Sequence, residues 1–371
     1  MKKFGFGLMR LPLTNPEDQT SINIEQVCKM ADSFFEKGFT YFDTAACYHS
    51  GSSEIAFREA VAKRYPRDSY TITDKLSMFM IEKKEDMQSF FDKQLERLGV
   101  DCIDYYLLHA LGDQAFRQAE EWGAFEFAAK LKAEGKVKHV GFSFHDKADV
   151  LDKILTAHPE VELVQLQINY LDWEDENVQS RLCYETAVRH GKPVIVMEPV
   201  KGGALANVPE AAEKLFREHS PEASPASWAI RFAASLDSVI TVLSGVSNES
   251  QMNDNLNYMS SFSPLDEKEL AIISKAEKII KSDIEIACTA CRYCVEDCPA
   301  NIAIPDCFSA YNNLKKFGNG QRNVSETYYE NLLENHGKAA DCIKCGRCEE
   351  LCPQHLPIRQ YLEAVSAIFD E

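Results

Sequence analysis

Seven short β-rich runs alternate with helical patterns over the first 280 residues of this 371-residue chain, and an eighth stands at about residues 4–8. The runs are "FTYFDT" (39–44), "YTITDKL" (70–76), "IDYYLLH" (103–109), "VKHVGFS" (137–143), "VELVQLQ" (161–167), "PVIVMEP" (193–199) and "SVITVLS" (238–244). Strict strand–helix alternation implies a parallel sheet with helical crossovers. Eight units within about 250 residues fit a closed (β/α)8 TIM barrel better than an open doubly wound sheet. No G-x-G-x-x-G follows the first run, which weakens the open-sheet alternative further. "KKFGFGLMR" (2–10) also reads as an N-terminal hairpin. Among the intervening segments, "SEIAFREAVAKRY" (53–65) and "EDMQSFFDKQLERLG" (85–99) read as helices. In the second, Met87, Phe90, Phe91, Leu95 and Leu98 recur on one face and Gly99 supplies the stop. "PLDEKELAIISKAEKIIKSD" (264–283) reads as the last barrel helix, so the expected boundary divides residues 1–280 from 281–371.

The second stretch is organised by cysteine. "CTACRYCVEDCP" (288–299) and "CIKCGRCEELCP" (342–353) both read C-x2-C-x2-C-x3-C-P, and together hold eight of the thirteen cysteines. Three closely spaced thiolates wrap one cubic [4Fe–4S] cluster, and the fourth Cys, before Pro, reaches the other cluster. The expected ligands are therefore Cys288, Cys291, Cys294 and Cys352 for cluster I, and Cys342, Cys345, Cys348 and Cys298 for cluster II. Zinc sites favour paired C-x2-C hooks, and neither three closely spaced Cys plus Cys-Pro nor its repetition is typical of them. Cys307 falls outside both motifs and is not expected to be a ligand. "SETYYENLLENHG" (325–337) reads as a helix with Ser325 at its N-cap and Gly337 at its stop, and "IRQYLEAVSAIF" (358–369) as another. The 43 residues between Cys298 and Cys342 have room for two helices, which cross-ligation requires to fold back as a hairpin.

A net charge of −18 excludes nucleic acid and anionic membrane surfaces as expected partners, because both select basic proteins. No stretch approaches the roughly 18 uninterrupted apolar residues of a membrane span. The start "MKKFGFGLMRLPL" lacks the apolar core of a secretory leader. Free thiolates in such number need a reducing compartment, so a cytoplasmic location is expected.

In a barrel of this type reactive side chains stand where strands end at the C-terminal face. Those ends carry Asp43, Lys75, His109, Ser143, Gln165, Glu198 and Ser244. Singly, each has an ordinary reading: a loop cap, a solvated cation, a hydrogen-bonded imidazole. As a set on successive strands they point to a polar site. "FDTAACYHSGSSE" (42–54) resembles the D-T-A-x-x-Y-G-x-S-E signature of aldo-keto reductases, and the resemblance continues through "TDKL", "DYYLLH", "GFS", "QLQINY" and "MEPVKGG". It covers nearly all of residues 1–260.

The resemblance implies a catalytic tetrad of Asp43, Tyr48, Lys75 and His109. Tyr48 would be the general acid and Lys75 the cation that strengthens it, since a phenol of pKa about 10 is a poor acid at neutral pH. Asp43 would hold and partly balance Lys75, and His109 would orient the carbonyl oxygen of a small-molecule substrate or share in the proton relay. The hydride would come from NADP or NAD. For that cofactor the resemblance points to Ser143 and Gln165 near the nicotinamide. It points to Glu198, Pro199 and Gly202 at the pyrophosphate, and to Ser244, Gly245, Gln251 and Asn255 towards the adenosine. Phe144 and His145 follow Ser143 where the family often has Asn, and no Lys–Arg pair stands at Gly245 and Gln251 to clamp a 2′-phosphate. Cys47 is expected to be a small buried hydrophobe, and Phe6, Tyr170 and Trp173 are candidate rim aromatics.

The tail resembles ferredoxins, especially their helical kind, which leaves three roles open: electron exchange with a redox protein partner, regulation of the reductase by redox state, or stabilisation of the tail alone. Two functions follow. One is a nicotinamide-dependent carbonyl reductase coupled to, or regulated by, an iron–sulfur domain. The alternative is an electron-transfer or redox-sensing module whose barrel only binds nicotinamide.

Overall fold

In the computed structural model, which describes residues 2–16, 18–176, 178–317 and 322–370, each β-rich run forms a strand. These are β1 (Phe4–Gly7), β2 (Tyr41–Asp43), β3 (Thr71–Leu76), β4 (Ile103–Leu111), β5 (Val137–Phe144), β6 (Leu163–Gln167), β7 (Val194–Met197) and β8 (Val239–Gly245). They pair in sequence order, all parallel, and β1 closes on β8. The expected TIM barrel is therefore the observed fold. The expected N-terminal hairpin is not: β1 lies between β8 and β2 as a barrel strand. Its four residues are all buried, and it pairs on both sides, with β2 and with β8.

Side chains alternate between the interior and the helix layer every second residue. Tyr41, Leu107, Leu163, Ile195 and Leu243 form one apolar interior cluster. Two residues further along β2, β4 and β6 come Asp43, His109 and Gln165, and Lys75 stands two beyond Thr73, whose Oγ1 meets Tyr41 Oη at 2.5 Å. The alternation thus sets a polar layer above a greasy plug, at the end of the barrel where the strands finish. Residues of opposite parity face outward. Phe6 is one of them, packed against Phe34 and Phe42, so it belongs to the core and not to the rim. Tyr170 and Trp173 pack edge-on against Phe232, and Tyr170 is buried.

The helix Met87–Leu98 ends as expected on Gly99, whose N–H returns to Leu95 O. Its fully buried face is Met87, Phe91, Gln94 and Leu98, so a glutamine takes the place that Leu95 was expected to fill. The reason is polar: Gln94 Nε2 donates to Lys75 O at 2.9 Å and its Oε1 accepts from Tyr106 Oη at 2.7 Å. The helix Ser52–Phe57 continues as a π-helical turn, Arg58–Ala62, within the stretch expected to be helical.

The chain forms two compact units that are discontinuous in sequence. One comprises Met1–Asp175, Gln179–Pro199 and Ala226–Glu267; the other gathers Glu176–Val178, Val200–Pro225 and Lys268–Glu371. In the second unit the helices Ile304–Phe317 and Arg322–Leu332 pack against each other, and Ile358–Phe369 closes a core that includes Ile302, Phe308, Tyr329 and Leu362. The helix expected over 325–337 begins three residues earlier and ends at Leu332, with Ser325 buried inside it instead of capping it. Gly337 does not stop a helix. It lies against the first motif, where a Cβ would meet Ala300 O at 2.1 Å, and its N–H donates to Asn301 O. No helix among the described residues is long and apolar enough to cross a membrane.

Candidate active site and cluster cavities

Lys75 is fully buried at the interior end of β3. Its Nζ donates to Asp43 Oδ1 at 2.7 Å and to Thr44 O at 2.8 Å. The other oxygen of Asp43 accepts from Gln165 Nε2 at 2.9 Å, so Asp43 is held from two sides. The same Nζ stands 4.9 Å from the ring centre of Tyr48, which is half-buried in a short helical turn, Tyr48–Gly51. Desolvation of such an ammonium is offset by its carboxylate and carbonyl partners. His109 lies 6.1 Å from Tyr48, ring centre to ring centre, and its Nδ1 meets Ser77 Oγ at 2.6 Å. Burial, followed by the nearby charges of Lys75 and His145, holds the His109 pKa well below its ordinary value, so the ring is neutral at neutral pH. Asp43, Tyr48, Lys75, His109 and Gln165 are thus brought into one cluster.

Cys47 points its sulfur to within 3.9 Å of His109 Nδ1. Burial pushes its thiol up to about 12, so it is a neutral wall of the site and not a nucleophile. Ser143 Oγ accepts from the N–H of Ala110, which sits in the left-handed region (φ 57°) directly after His109. Glu198 also has a positive φ (56°), and its carbonyl accepts from Asn169 Nδ2. Non-glycine residues in that region carry backbone strain and gather at functional sites.

The remaining cofactor candidates are placed differently. Ser244 has outward parity and its Oγ accepts from Asn255 Nδ2 at 2.9 Å, while Asn255 Oδ1 accepts from Tyr258 Oη. Gln251 is exposed at the start of the helix Glu249–Ser260, and its Oε1 accepts from Ser247 N. Arg10 packs beside Gly245, with Cγ 3.4 Å from where a Cβ would stand. Nothing in the sequence pairs Arg10 with a position 235 residues away. Pro199 ends its segment of the barrel unit, whereas Gly202 belongs to the second unit.

Behind Lys75, outside the barrel wall, stands a pair of carboxyl groups that the sequence did not reveal. Glu54 and Asp74 are both fully buried. Asp74 Oδ1 accepts from Lys75 N at 2.8 Å, and Glu54 Oε2 takes Arg97 Nη1 at 3.0 Å. Burial raises both pKa values, and the charge of Glu54 raises that of Asp74 further, while Glu54 Oε1 and Asp74 Oδ2 have no hydrogen-bond partner among the described residues. A carboxyl whose folded pKa is raised binds more protons folded than unfolded, so its contribution is present at low pH and fades as pH rises above the unfolded value of about 4. Asp74→Asn, which keeps the acceptor and needs no proton, should flatten that decline. We expect it to gain on the order of 1 kcal/mol at pH 8 relative to wild type and nothing at pH 4; denaturant melts across that range measure it.

In the second unit, Cys288, Cys291, Cys294 and Cys352 line one cavity. Cys298, Cys342, Cys345 and Cys348 line another. Each cavity draws three cysteines from one motif and the Cys-Pro cysteine from the other. Among the described residues no Cys, His, Asp or Glu side chains are gathered tightly as ligands of a single ion. A donor set of four thiols spread around a void suits a cluster of several irons. Cys307 lines neither cavity and is buried in the helical core, where burial pushes its thiol up to about 12.

The family model "Aldo/keto reductase family" matches residues 3–278, and "4Fe-4S dicluster domain" matches 287–356. A probable aldo-keto reductase of Glycine max is 27% identical over 319 residues, covering 75% of this chain and 86% of that protein. The NADH-specific methylglyoxal reductase of Escherichia coli is 28% identical over 187 residues, covering 45% of this chain and 54% of the relative. Two solved structures share the fold. An aldo-keto reductase from Bacillus halodurans is 24% identical with a TM-score of 0.57, covering 74% of this chain and 91% of its own. An aldo-keto reductase from Klebsiella pneumoniae in complex with NADPH is 20% identical with a TM-score of 0.56, covering 74% and 90%.

Proposed function

The chain belongs to the aldo/keto reductase family of NAD(P)-dependent oxidoreductases, and from that premise we propose that it reduces the carbonyl of a small aldehyde or ketone and carries two [4Fe–4S] clusters as an electron-transfer appendage. The observation that carries the reading is a buried ammonium, Lys75, shared between the Asp43 carboxylate and the face of Tyr48. A cation beside a phenol favours phenolate, so it makes Tyr48 a stronger acid towards a carbonyl oxygen gaining charge. Asp43, held by Gln165, fixes the ammonium so that little reorganises as that charge appears. His109 stays neutral, and in the tautomer in which Nδ1 accepts from Ser77 Oγ its Nε2 carries the proton and can donate it to the same oxygen. When bound, the nicotinamide supplies the hydride that no side chain can. Ser143 and Gln165, interior neighbours on β5 and β6, are the residues proposed to meet its ring. Glu198, Pro199, Gly202, Ser244, Gly245, Gln251 and Asn255 remain proposed contacts of its remainder.

Phe79 and Met80 are exposed beside the site, and the Phe79 ring centre is 5.4 Å from that of His109. An aromatic and a thioether at this position favour a substrate with an apolar body. Phe79→Ala should raise KM for such a carbonyl by about tenfold while kcat changes little, as steady-state kinetics would show.

The test of the activity is an anaerobic screen of aldehydes and ketones with NADH and NADPH, following nicotinamide absorbance. Turnover of at least one carbonyl supports it. Absence of all turnover, with the clusters bleaching on addition of nicotinamide alone, would favour the second reading, a redox module that uses the barrel to bind nicotinamide. The matching dicluster domain motivates that reading. For the chain itself we retain residue 280 as the boundary between segments of separate chemistry.

A further inference from the structure

The segment following β7 folds with the cysteine motifs, and it brings a buried cation to one of them. Lys201 is 5% exposed and has a left-handed backbone, φ 46°. Gly202 follows at φ 63°, and a Cβ there would meet Thr289 O at 2.2 Å, so the turn lies hard against the residue next to Cys288. Lys201 Nζ donates to Gln354 Oε1 at 2.8 Å. Gln354 is two residues beyond Cys352, is 5% exposed, and lines the cavity of Cys288, Cys291, Cys294 and Cys352. Its Nε2 is buried and has no hydrogen-bond partner among the described residues.

The orientation of that amide is forced. An ammonium can only donate, so it must face the oxygen of Gln354 and turn the NH2 group the other way. A buried amide donor without an acceptor costs free energy that native structures avoid, and this one borders a cavity built for inorganic sulfur. Among the described residues no buried cation lines the other cavity: its Arg347 and Arg359 are exposed, and Arg359 is paired with Glu349.

We propose that Gln354 donates a hydrogen bond to cluster I and that Lys201 is the positioning residue which aims it, the pair together raising the reduction potential of that cluster alone. Adding an electron makes a cluster more negative, and a hydrogen-bond donor and a nearby cation both favour the more negative state. This rests on the reading that two clusters assemble, which iron content and visible absorption of the reconstituted full-length protein establish first.

The experiment is an anaerobic, dithionite-driven potentiometric titration followed by electron paramagnetic resonance. It is run on holoprotein of wild type, Lys201→Met, Lys201→Arg, Gln354→Leu and the double variant Lys201→Met/Gln354→Leu. Lys201→Met and Gln354→Leu should each make one of the two clusters harder to reduce by roughly tenfold in the reduction equilibrium, a fall of about 59 mV for one electron. The second cluster should stay where it is. The double variant should fall by less than the sum, because Lys201 acts partly through Gln354. Lys201→Arg, which can still donate to Oε1, should remain near wild type. Full iron content with both potentials unmoved in Lys201→Met and Gln354→Leu would overturn the proposal, as would equal shifts of both clusters. If Lys201→Met loses half its iron, Gln354→Leu decides by the same shift. Loss of half the iron in both variants would show a structural role and overturn the tuning role.

Discussion

Tyr48→Phe is expected to lower carbonyl turnover by about 10²- to 10⁴-fold, the range a positioned general acid supplies. The substitution removes one oxygen from a half-buried ring and leaves the Lys75–Asp43 pair intact. Changing Asp43 or Lys75 would strand its partner as a buried charge, a loss of about 3–5 kcal/mol that confuses catalysis with folding. The measurement is kcat with the best carbonyl from the screen, beside circular dichroism and nicotinamide fluorescence. A folded variant that binds nicotinamide and turns over at the wild-type rate would remove Tyr48 from the chemistry.

The second large effect concerns the crossed ligand sets. Cys352→Ser is expected to deplete the cluster held by Cys288, Cys291 and Cys294, although residue 352 belongs to the other motif. Cys298→Ser should reciprocally deplete the cluster of Cys342, Cys345 and Cys348. In each case about half of the bound iron should go, since an alcohol is a poor substitute for a thiolate ligand. Cys307→Ser should keep all of it. Iron analysis and resonance spectra of the reduced proteins distinguish the sites. The crossed arrangement fails if Cys352→Ser removes the cluster of its own motif and spares the other.

Much of the fold was legible because two periodicities are simple. Strand–helix alternation implied the barrel, and the rule that reactive side chains stand at strand ends picked out Asp43, Lys75, His109 and Gln165, although Ser244 from the same reading has outward parity. Cysteine spacing carried the second stretch in the same local way, and the dicluster match covers it. What stayed hidden depends on residues far apart in sequence. Ser77 behind His109, Gln94 beneath Lys75, and the buried Glu54 and Asp74 all arise where helices and strands are packed together. Gln94 was hidden for a further reason: it sits on a helix face where periodicity calls for an apolar residue, and its burial is tolerable only because Lys75 O and Tyr106 satisfy it. Gly337 was misread because a glycine after a helical pattern usually ends a helix, whereas here it permits close backbone approach.

The grouping of Val200–Pro225 with the cysteine-bearing unit bears on how such a protein can be inherited or dissected. Its residues Leu205, Ala212 and Phe216 are buried, and Gly202 has room only for hydrogen against Thr289. A deletion of everything after residue 280 would strip that excursion of the rest of its compact unit. The cysteine-bearing tail is therefore not a detachable passenger, since a cut at 280 divides one unit in two.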